Sequence, residues 1–327
     1  MNVLYTCNNN YVWLMGISMI SLFKNNISIK ELTVYLLGED ISDENKNIIL
    51  GIAEEYHRSV FIIDVPKIDI PQSLVSVRWP LSAYTRLYSG ELLPSYVERV
   101  LYLDCDTIVK GNISELQTIN ISGKIVYGVK DCISKNYKKN IGLAKDDIYV
   151  NAGVLLFNLN ELRKINIKAA IDKYMNIYEK RINYADQDVL NGMLRGQIGI
   201  LSPKYDIMTI DVVHNYKEIM ALRRPTNFYT EKELNIGKEE AIVIHFTTNM
   251  RVIRPWFSNS DHPLKSEFLK YKALSPWKEK KLPDMVFTSN EAKVISVINI
   301  LPCKVSSFIL GMIHSTLKPI YIRLRRN

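Results

Sequence analysis

Two aspartates one residue apart, Asp104 and Asp106, end the apolar run in RVLYLDCDTIVKGN. Side chains alternate along an extended chain, so both carboxylates face one side and Cys105 packs inward on the other. Carboxylates held this close repel each other unless a cation lies between them. Hard oxygen donors suit Mg²⁺ or Mn²⁺, ions that commonly keep coordination positions for phosphate oxygens. Taken alone, a D-x-D pair after a strand reads more readily as an ordinary acidic turn. His245, ending AIVIHF, adds an imidazole that would tilt a two-carboxylate set towards Mn²⁺; by itself it reads as a hydrogen-bonded structural histidine. A further cluster, Asp186, Gln187 and Asp188 in ADQDVLNGML, would open a helix with Val189, Leu190, Met193 and Leu194 on its buried side. Helix capping accounts for such a first turn equally well. In YVNAGVLLFNL, Asn151 precedes an Ala-Gly step, where small side chains let a ligand come close to the backbone.

These residues need elements to position them. Short β-rich runs recur as VLYT near residue 4, LTVYLL at 32–37, VFIIDV at 60–65, RVLYLD at 99–104, KIVYGV at 124–129, GVLLFNL at 153–159 and AIVIHF at 241–246. Helical patterns separate them, which predicts an α/β fold: a mostly parallel sheet, AIVIHF included, with helices on both faces and chemistry at the carboxyl ends of its strands. Ser42 is placed to cap a helix with Asp43 and Glu44 in its first turn and a stripe at Ile48, Ile49, Ile52, Ala53 and Tyr56. A second amphipathic helix follows Asn160, with Ile167, Ala170, Ile171, Tyr174, Ile177 and Tyr178 on one face. The 13-residue uncharged run Tyr11 to Phe23 falls short of the ~20 residues that span a bilayer and reads as a core helix rather than a signal.

The 327-residue chain is 47% hydrophobic and 23% charged, which excludes wholesale disorder, collagen-like repeats and a polytopic membrane protein. Cys7, Cys105, Cys132 and Cys303 show no C-x-x-C spacing and read as reduced thiols of a cytosolic protein. The formal charge of +8 suggests a nucleic-acid footprint until it is located. Residues 292–327 hold six Lys or Arg and no Asp or Glu, leaving 36 basic against 34 acidic residues, a charge of +2, in the rest. The body is nearly neutral, so no nucleic-acid partner is expected. The tail interleaves apolar residues with Lys293, Lys304, Lys318, Arg323, Arg325 and Arg326, and Pro302 and Pro319 are expected to break it into helical pieces too short to span a bilayer. Such a segment either packs on its own domain or lies on an anionic membrane surface, and the second is the reading adopted here.

In their order along the chain these segments resemble glycosyltransferase family 8, and within it the bacterial lipopolysaccharide and capsule branch of galactosyl- and glucosyltransferases. The matching stretches are YTCNNNY, LSAYTRL around Arg86, VLYLDCDTIV, NAGVLLFNL, DQDVLNG, a histidine strand leading to Arg254-Pro255-Trp256, and HPLKSEFLKYKALSPW. The resemblance implies a GT-A fold, Rossmann-like, over residues 1–277, followed by a membrane-associating helical tail over 278–327. It implies that Asp104, Asp106 and His245 hold Mn²⁺, with Mg²⁺ as the alternative, against the diphosphate of a UDP-hexose donor. Thr6, Asn8 and Tyr11 would then contact the uridine, Tyr11 stacking on the base. Arg86, Asn151, Asp186 and Gln187 would surround the donor sugar, Gln187 offering its amide oxygen to the positive charge that develops at the anomeric carbon. Arg78 falls at an acceptor-side position.

The implied activity is retaining transfer of galactose or glucose to a lipid-linked or polysaccharide glycan acceptor at the inner membrane face. Two departures from the family pattern stand out. HFTTNMRVIRPW is three residues longer than His-x-x-Gly-x-x-Lys-Pro-Trp, with Thr248 for glycine and Arg254 for lysine, and Arg251 as an alternative phosphate partner. Asn8, Asn9 and Asn10 stand where acidic residues are common. The irregular segment makes a catalytically impaired UDP-sugar-binding subunit one competing reading. A sugar nucleotidyltransferase is another, opposed by the absence of Gly and Lys from YTCNNNYVW.

Overall fold

The computed structural model of the chain describes residues 1–66, 81–288, 300 and 302–325. Its centre is a seven-stranded sheet of β1 (Asn2–Asn8), β2 (Thr33–Glu39), β3 (Ser59–Asp64), β4 (Arg99–Leu103), β6 (Val126–Lys130), β7 (Val150–Asn158) and β8 (Ile198–Ile200), in the spatial order β3-β2-β1-β4-β7-β6-β8. All seven expected runs form strands. Strands β3, β2, β1 and β4 pair in parallel, and β6 pairs in parallel with β8. β7 alone runs the other way, antiparallel to both β4 and β6. That reversal matters for function, because it carries the first residues of β7 to the edge where β4 ends: Leu103 faces Val154, and the Asp104 N–H donates to the Gly153 carbonyl at 2.7 Å.

Alternate residues of each strand feed two cores. Val3, Tyr5 and Cys7 of β1 point into one, with Leu101 and Leu103 of β4, while Leu4, Val100 and Tyr102 point into the other. The uncharged run after Tyr11 forms the helix Val12–Asn25, buried along most of its length in the first core. Ser42 caps the helix Asp43–Glu55 as expected, its side chain accepting from the Asn45 N–H. Ala185–Met193 packs into the second core through Val189 and Leu190. The helix Ile167–Tyr178 buries Ile167, Ile171, Tyr174 and Met175, whereas Ile177, placed on the buried stripe by spacing, is 61% exposed. Its stripe turns towards Met175 over the last turn.

AIVIHF is not part of the main sheet. Its core, β10 (Val243–His245), is the middle strand of a separate three-stranded sheet between β5 (Thr107–Val109) and β9 (Ile207–Met208). β5 follows Asp106 directly and doubles back along β10, pairing His245 with Thr107. His245 thus reaches Asp104 and Asp106 through that hairpin-like return and not through a shared strand edge.

The tail differs from expectation as well. Cys303–Met312 runs through a π-helical stretch, Ile313–Leu317, into Lys318–Arg325, so Pro319 does not break it. Proline brings no N–H for the carbonyl four residues earlier. That carbonyl, on Ser315, accepts instead from the Ser134 hydroxyl at 2.9 Å and the Asn136 amide at 3.1 Å, both on the body. A side chain at Gly311 would overlap the Ala221 carbonyl, so helix Cys303–Met312 lies close against helix Tyr216–Arg223. Arg78, Lys293 and Arg326 lie outside the described residues, as does the stretch 289–299.

Candidate functional site

The site assembles around the His245 ring, which is buried at the end of β10. Its Nε2 stands 3.2 Å from Asp106 Oδ1 and 3.7 Å from Asp104 Oδ2, while Nδ1 stands 3.0 Å from Oδ1 of the fully buried Asp206. The imidazole occupies the space a side chain at position 153 would need: a Cβ on Gly153 would overlap the ring. The small Ala-Gly step therefore makes room for the histidine itself. Burial alone would lower the pKa of His245, but Asp206 and Asp106 outweigh it and hold the ring well above the ordinary histidine range. Burial would likewise raise Asp106, and His245 with Arg254 brings it down.

Asp104, Asp106 and His245 each offer one ligand atom, all within 4.8 Å of one another. With Nδ1 beside Asp206 as hydrogen-bond acceptor, Nε2 points at the two carboxylates, and a cation bound there would take the place of the Nε2 proton; metal-bound histidines commonly have their other nitrogen held by a carboxylate in this way. Two carboxylates converging on one imidazole fit a divalent cation in both charge and donor type.

Arg86 is nine-tenths buried and ties this cluster to the helix Ala185–Met193. Its Nη1 lies 3.0 Å from Asp104 Oδ1, its Nε lies 3.2 Å from Asp186 Oδ2, and the guanidinium carbon sits 4.2 Å above the Tyr102 ring. Burial opposes its charge, and the two carboxylates outweigh burial and raise its pKa. Asp186 is pushed up to about 6, chiefly by burial, with Arg86 pulling in the other direction.

The orientation of Gln187 is set at both ends. Its Oε1 accepts from the Asn151 amide (3.2 Å) and the Ala152 N–H (3.1 Å). Its Nε2 donates to Asp131 Oδ2 (2.9 Å) and to the Tyr149 oxygen (3.1 Å), whose own proton goes to Asp188 Oδ1 (2.7 Å). A flipped amide would face a carboxylate with its oxygen, so the assignment is fixed by the network. The oxygen expected to face the anomeric centre is thus already engaged by two donors from the start of β7.

The remaining predicted residues are placed as follows. Thr6 Oγ1 lies 3.2 Å from the Tyr102 hydroxyl, which donates to Asp104 Oδ1 at 2.5 Å, so Thr6 reaches the acidic pair through one tyrosine. Asn8 accepts from the Asn10 N–H and caps the turn that starts the first helix. Asn9 accepts from the Ser42 N–H and the Asn45 amide. Tyr11 stands 39% exposed at the head of helix Val12–Asn25. Arg254 reaches Asp106 Oδ2 at 3.5 Å and lies 4.6 Å above the Trp256 ring. Arg251, the alternative phosphate partner, turns instead to the Ser306 hydroxyl on the tail.

Four contributors went unrecognised in the sequence. Tyr102 precedes Asp104 by two residues on the same strand face, so alternation alone points to it. Asp131 follows the end of β6, where the strand-end rule would have found it. Tyr149 and Asp206 lie in connections with no periodic signal.

The family model described as Glycosyl transferase family 8 matches residues 2–260. The chain is 30% identical over 216 residues to a putative glycosyltransferase of Haemophilus influenzae, an alignment covering 64% of each chain. It is 28% identical over 295 residues to the lipopolysaccharide 1,2-glucosyltransferase of Escherichia coli strain K12, covering 85% of this chain and 79% of the relative. A solved structure of galactosyltransferase LgtC in complex with donor and acceptor sugar analogs superposes with a TM-score of 0.68 at 20% identity, covering 90% of this chain and 99% of that one. At that identity the likeness carries the fold.

Proposed function

Because the chain belongs to glycosyltransferase family 8, we propose that it is a retaining hexosyltransferase that uses a divalent cation to move galactose or glucose from UDP to a glycan of the bacterial surface. The single observation that carries this reading is the convergence of Asp104, Asp106 and His245 beside Arg86, with Asp186, Gln187 and Asn151 on the adjoining strand and helix. In this reading Asp104, Asp106 and His245 hold Mn²⁺, favoured over Mg²⁺ by the imidazole donor. When bound, the ion neutralises charge on the departing diphosphate.

The protein's own groups do the rest. Arg254, already beside Asp106, is placed to pair with a phosphate oxygen, and its planar fork suits that partner better than the lysine it replaces. Arg86 orients Asp104 and Asp186 together, so the metal-side carboxylate and the sugar-side carboxylate move as one unit. Asp131 accepts from the Gln187 NH₂ and makes that amide more dipolar beside the position where oxocarbenium charge would build up. Thr6, Asn8 and Tyr11 line the uridine end in this reading, with the exposed Tyr11 ring free to stack.

The tail supports attachment to a membrane surface. No helix among the described residues is long and apolar enough to cross a membrane. The tail docks through its small and polar residues, Ser306, Ser307, Gly311 and Ser315, and leaves Phe308, Met312, Ile313, Leu317, Tyr321 and Leu324 outward. An apolar face turned to solvent beside Lys318 fits peripheral binding to anionic lipid at the inner membrane face, which would hold the site near a lipid-linked acceptor.

A panel of UDP-sugars read by UDP release with Mn²⁺ tests the activity, and the anomeric configuration of the product by NMR tests retention. Hydrolysis of UDP-galactose or UDP-glucose is expected, and Asp104→Ala should abolish it together with its Mn²⁺ dependence. Unchanged hydrolysis in that variant would remove the metal assignment.

A further inference from the structure

Where the tail meets the body, Ser134, Lys135, Asn136, Arg224, Thr226 and Thr316 line a cleft of about 480 Å³ that lies apart from the carboxylate cluster in its residues. Its two charged residues are both cations, and no carboxylate lies among its lining residues. Arg224 ends the helix Tyr216–Arg223 in the left-handed region, φ 47°, a backbone conformation that a bulky residue seldom adopts. Its guanidinium donates to Thr316 Oγ1, another lining residue, at 3.2 Å and lies 5.5 Å above the Phe308 ring. One hydrogen bond leaves most of the guanidinium's donors uncommitted to that partner.

We propose that this cleft seats the phosphate of an anionic lipid headgroup. Arg224 supplies charge and forked donors suited to phosphate oxygens, and Lys135 supplies a second positive charge. Phe308, beneath Arg224, and Leu317, next in the chain to Thr316, stand exposed on the apolar side of the tail, where acyl chains would continue. The inference rests on the reading of the tail as membrane-facing, and it adds a defined headgroup site to a surface otherwise held by diffuse charge and apolar burial.

The test uses the full chain, soluble glycerol 3-phosphate, and vesicles of phosphatidylglycerol or of phosphatidylcholine alone. Glycerol 3-phosphate at millimolar concentration is expected to raise the Tm of the wild type and to leave Arg224→Gln/Lys135→Gln unmoved. The double variant should bind phosphatidylglycerol vesicles about tenfold more weakly or worse. Lys135→Gln alone, an exposed change, gives the same readouts at smaller size should the double variant loosen the tail. If glycerol 3-phosphate shifts neither protein, or both equally, the cleft is no phosphate site, and retained binding of the wild type to phosphatidylglycerol vesicles would leave the membrane reading standing. If the soluble ester protects the wild type but vesicles do not bind, the lipid assignment falls together with the membrane reading.

Discussion

Asp206 shows how much of this site depends on a residue that touches no substrate. Its carboxylate oxygen lies 3.0 Å from His245 Nδ1, where it accepts a hydrogen bond, and the side chain is wholly buried. Asp206→Asn keeps an acceptor oxygen of the same shape and removes the charge. Metal affinity, measured by Mn²⁺ titration of donor hydrolysis, is expected to fall about 10- to 100-fold, the usual cost of losing such a partner. Asp131 plays the corresponding part for Gln187. Asp131→Ala removes the acceptor of the Gln187 NH₂ and frees that side chain to rotate. We expect kcat to fall by about 100-fold with the KM for the donor changed far less, because misplacing a group near the reacting centre acts on the transition state. An equal rise in KM would instead place Asp131 in ground-state donor binding. Tyr102 and Asp131 were within reach of strand alternation and the strand-end rule; Asp206 was not, because a dipeptide strand gives periodicity nothing to work with.

Among the elements, the reversed strand β7 and the short sheet around β10 decide where the chemistry sits. GVLLFNL was legible as a strand, but its direction was not, since hydrophobic pattern is the same read either way. Only pairing against β4 sets its start beside Asp104. The helix Thr209–Val213, next to this sheet, carries a buried charge of its own. Asp211 accepts from the Met208 N–H at 3.1 Å through one oxygen, while the other is buried without a partner, and burial pushes its pKa up to about 7. The folded state therefore holds a proton that the unfolded chain gives up near pH 4. The stability this group contributes is fully present below about pH 4 and is lost as pH rises towards 7. Asp211→Asn is expected to flatten that decline. Urea denaturation at pH 5 and pH 8 should differ between the two conditions by on the order of 1–2 kcal/mol less than in the wild type.

At the scale of the whole molecule, the tail that carries most of the sequence's basic excess docks on the body and turns an apolar face outward. The tail is held to the body by polar contacts, Ser134 and Asn136 to the Ser315 carbonyl and Asn140 to the Pro319 carbonyl at 2.9 Å, an inversion of ordinary helix docking. Its outward apolar side chains contribute little to folding and much to any lipid contact. Replacing Met312, Leu317 and Leu324 together by serine should leave Tm within a degree or two. It should weaken phosphatidylglycerol vesicle binding by at least ~1 kcal/mol per side chain. A large fall in Tm would show that these residues pack on the body instead. Composition made the tail's basic and apolar character legible, but not which side faces inward, because Ser, Gly and Pro at docking positions carry no hydrophobic signal.

The sequence by itself determined the α/β class, the seven runs that form strands, and the capped and core helices, and it named Asp104, Asp106, His245, Arg86, Asn151, Asp186, Gln187 and Arg254 as candidates. The elements follow from local periodicity, and the candidates from short motifs and their resemblance to a family pattern. The tertiary structure decided what those residues do to one another: His245 turned by Asp206 and seated against Gly153, Gln187 held by Asp131 and Tyr149, and the tail docked polar side inward. Each of these depends on the direction and register of strands paired across 30 or more residues, and on buried polar groups finding partners. Only the closed three-dimensional packing fixes such long-range choices.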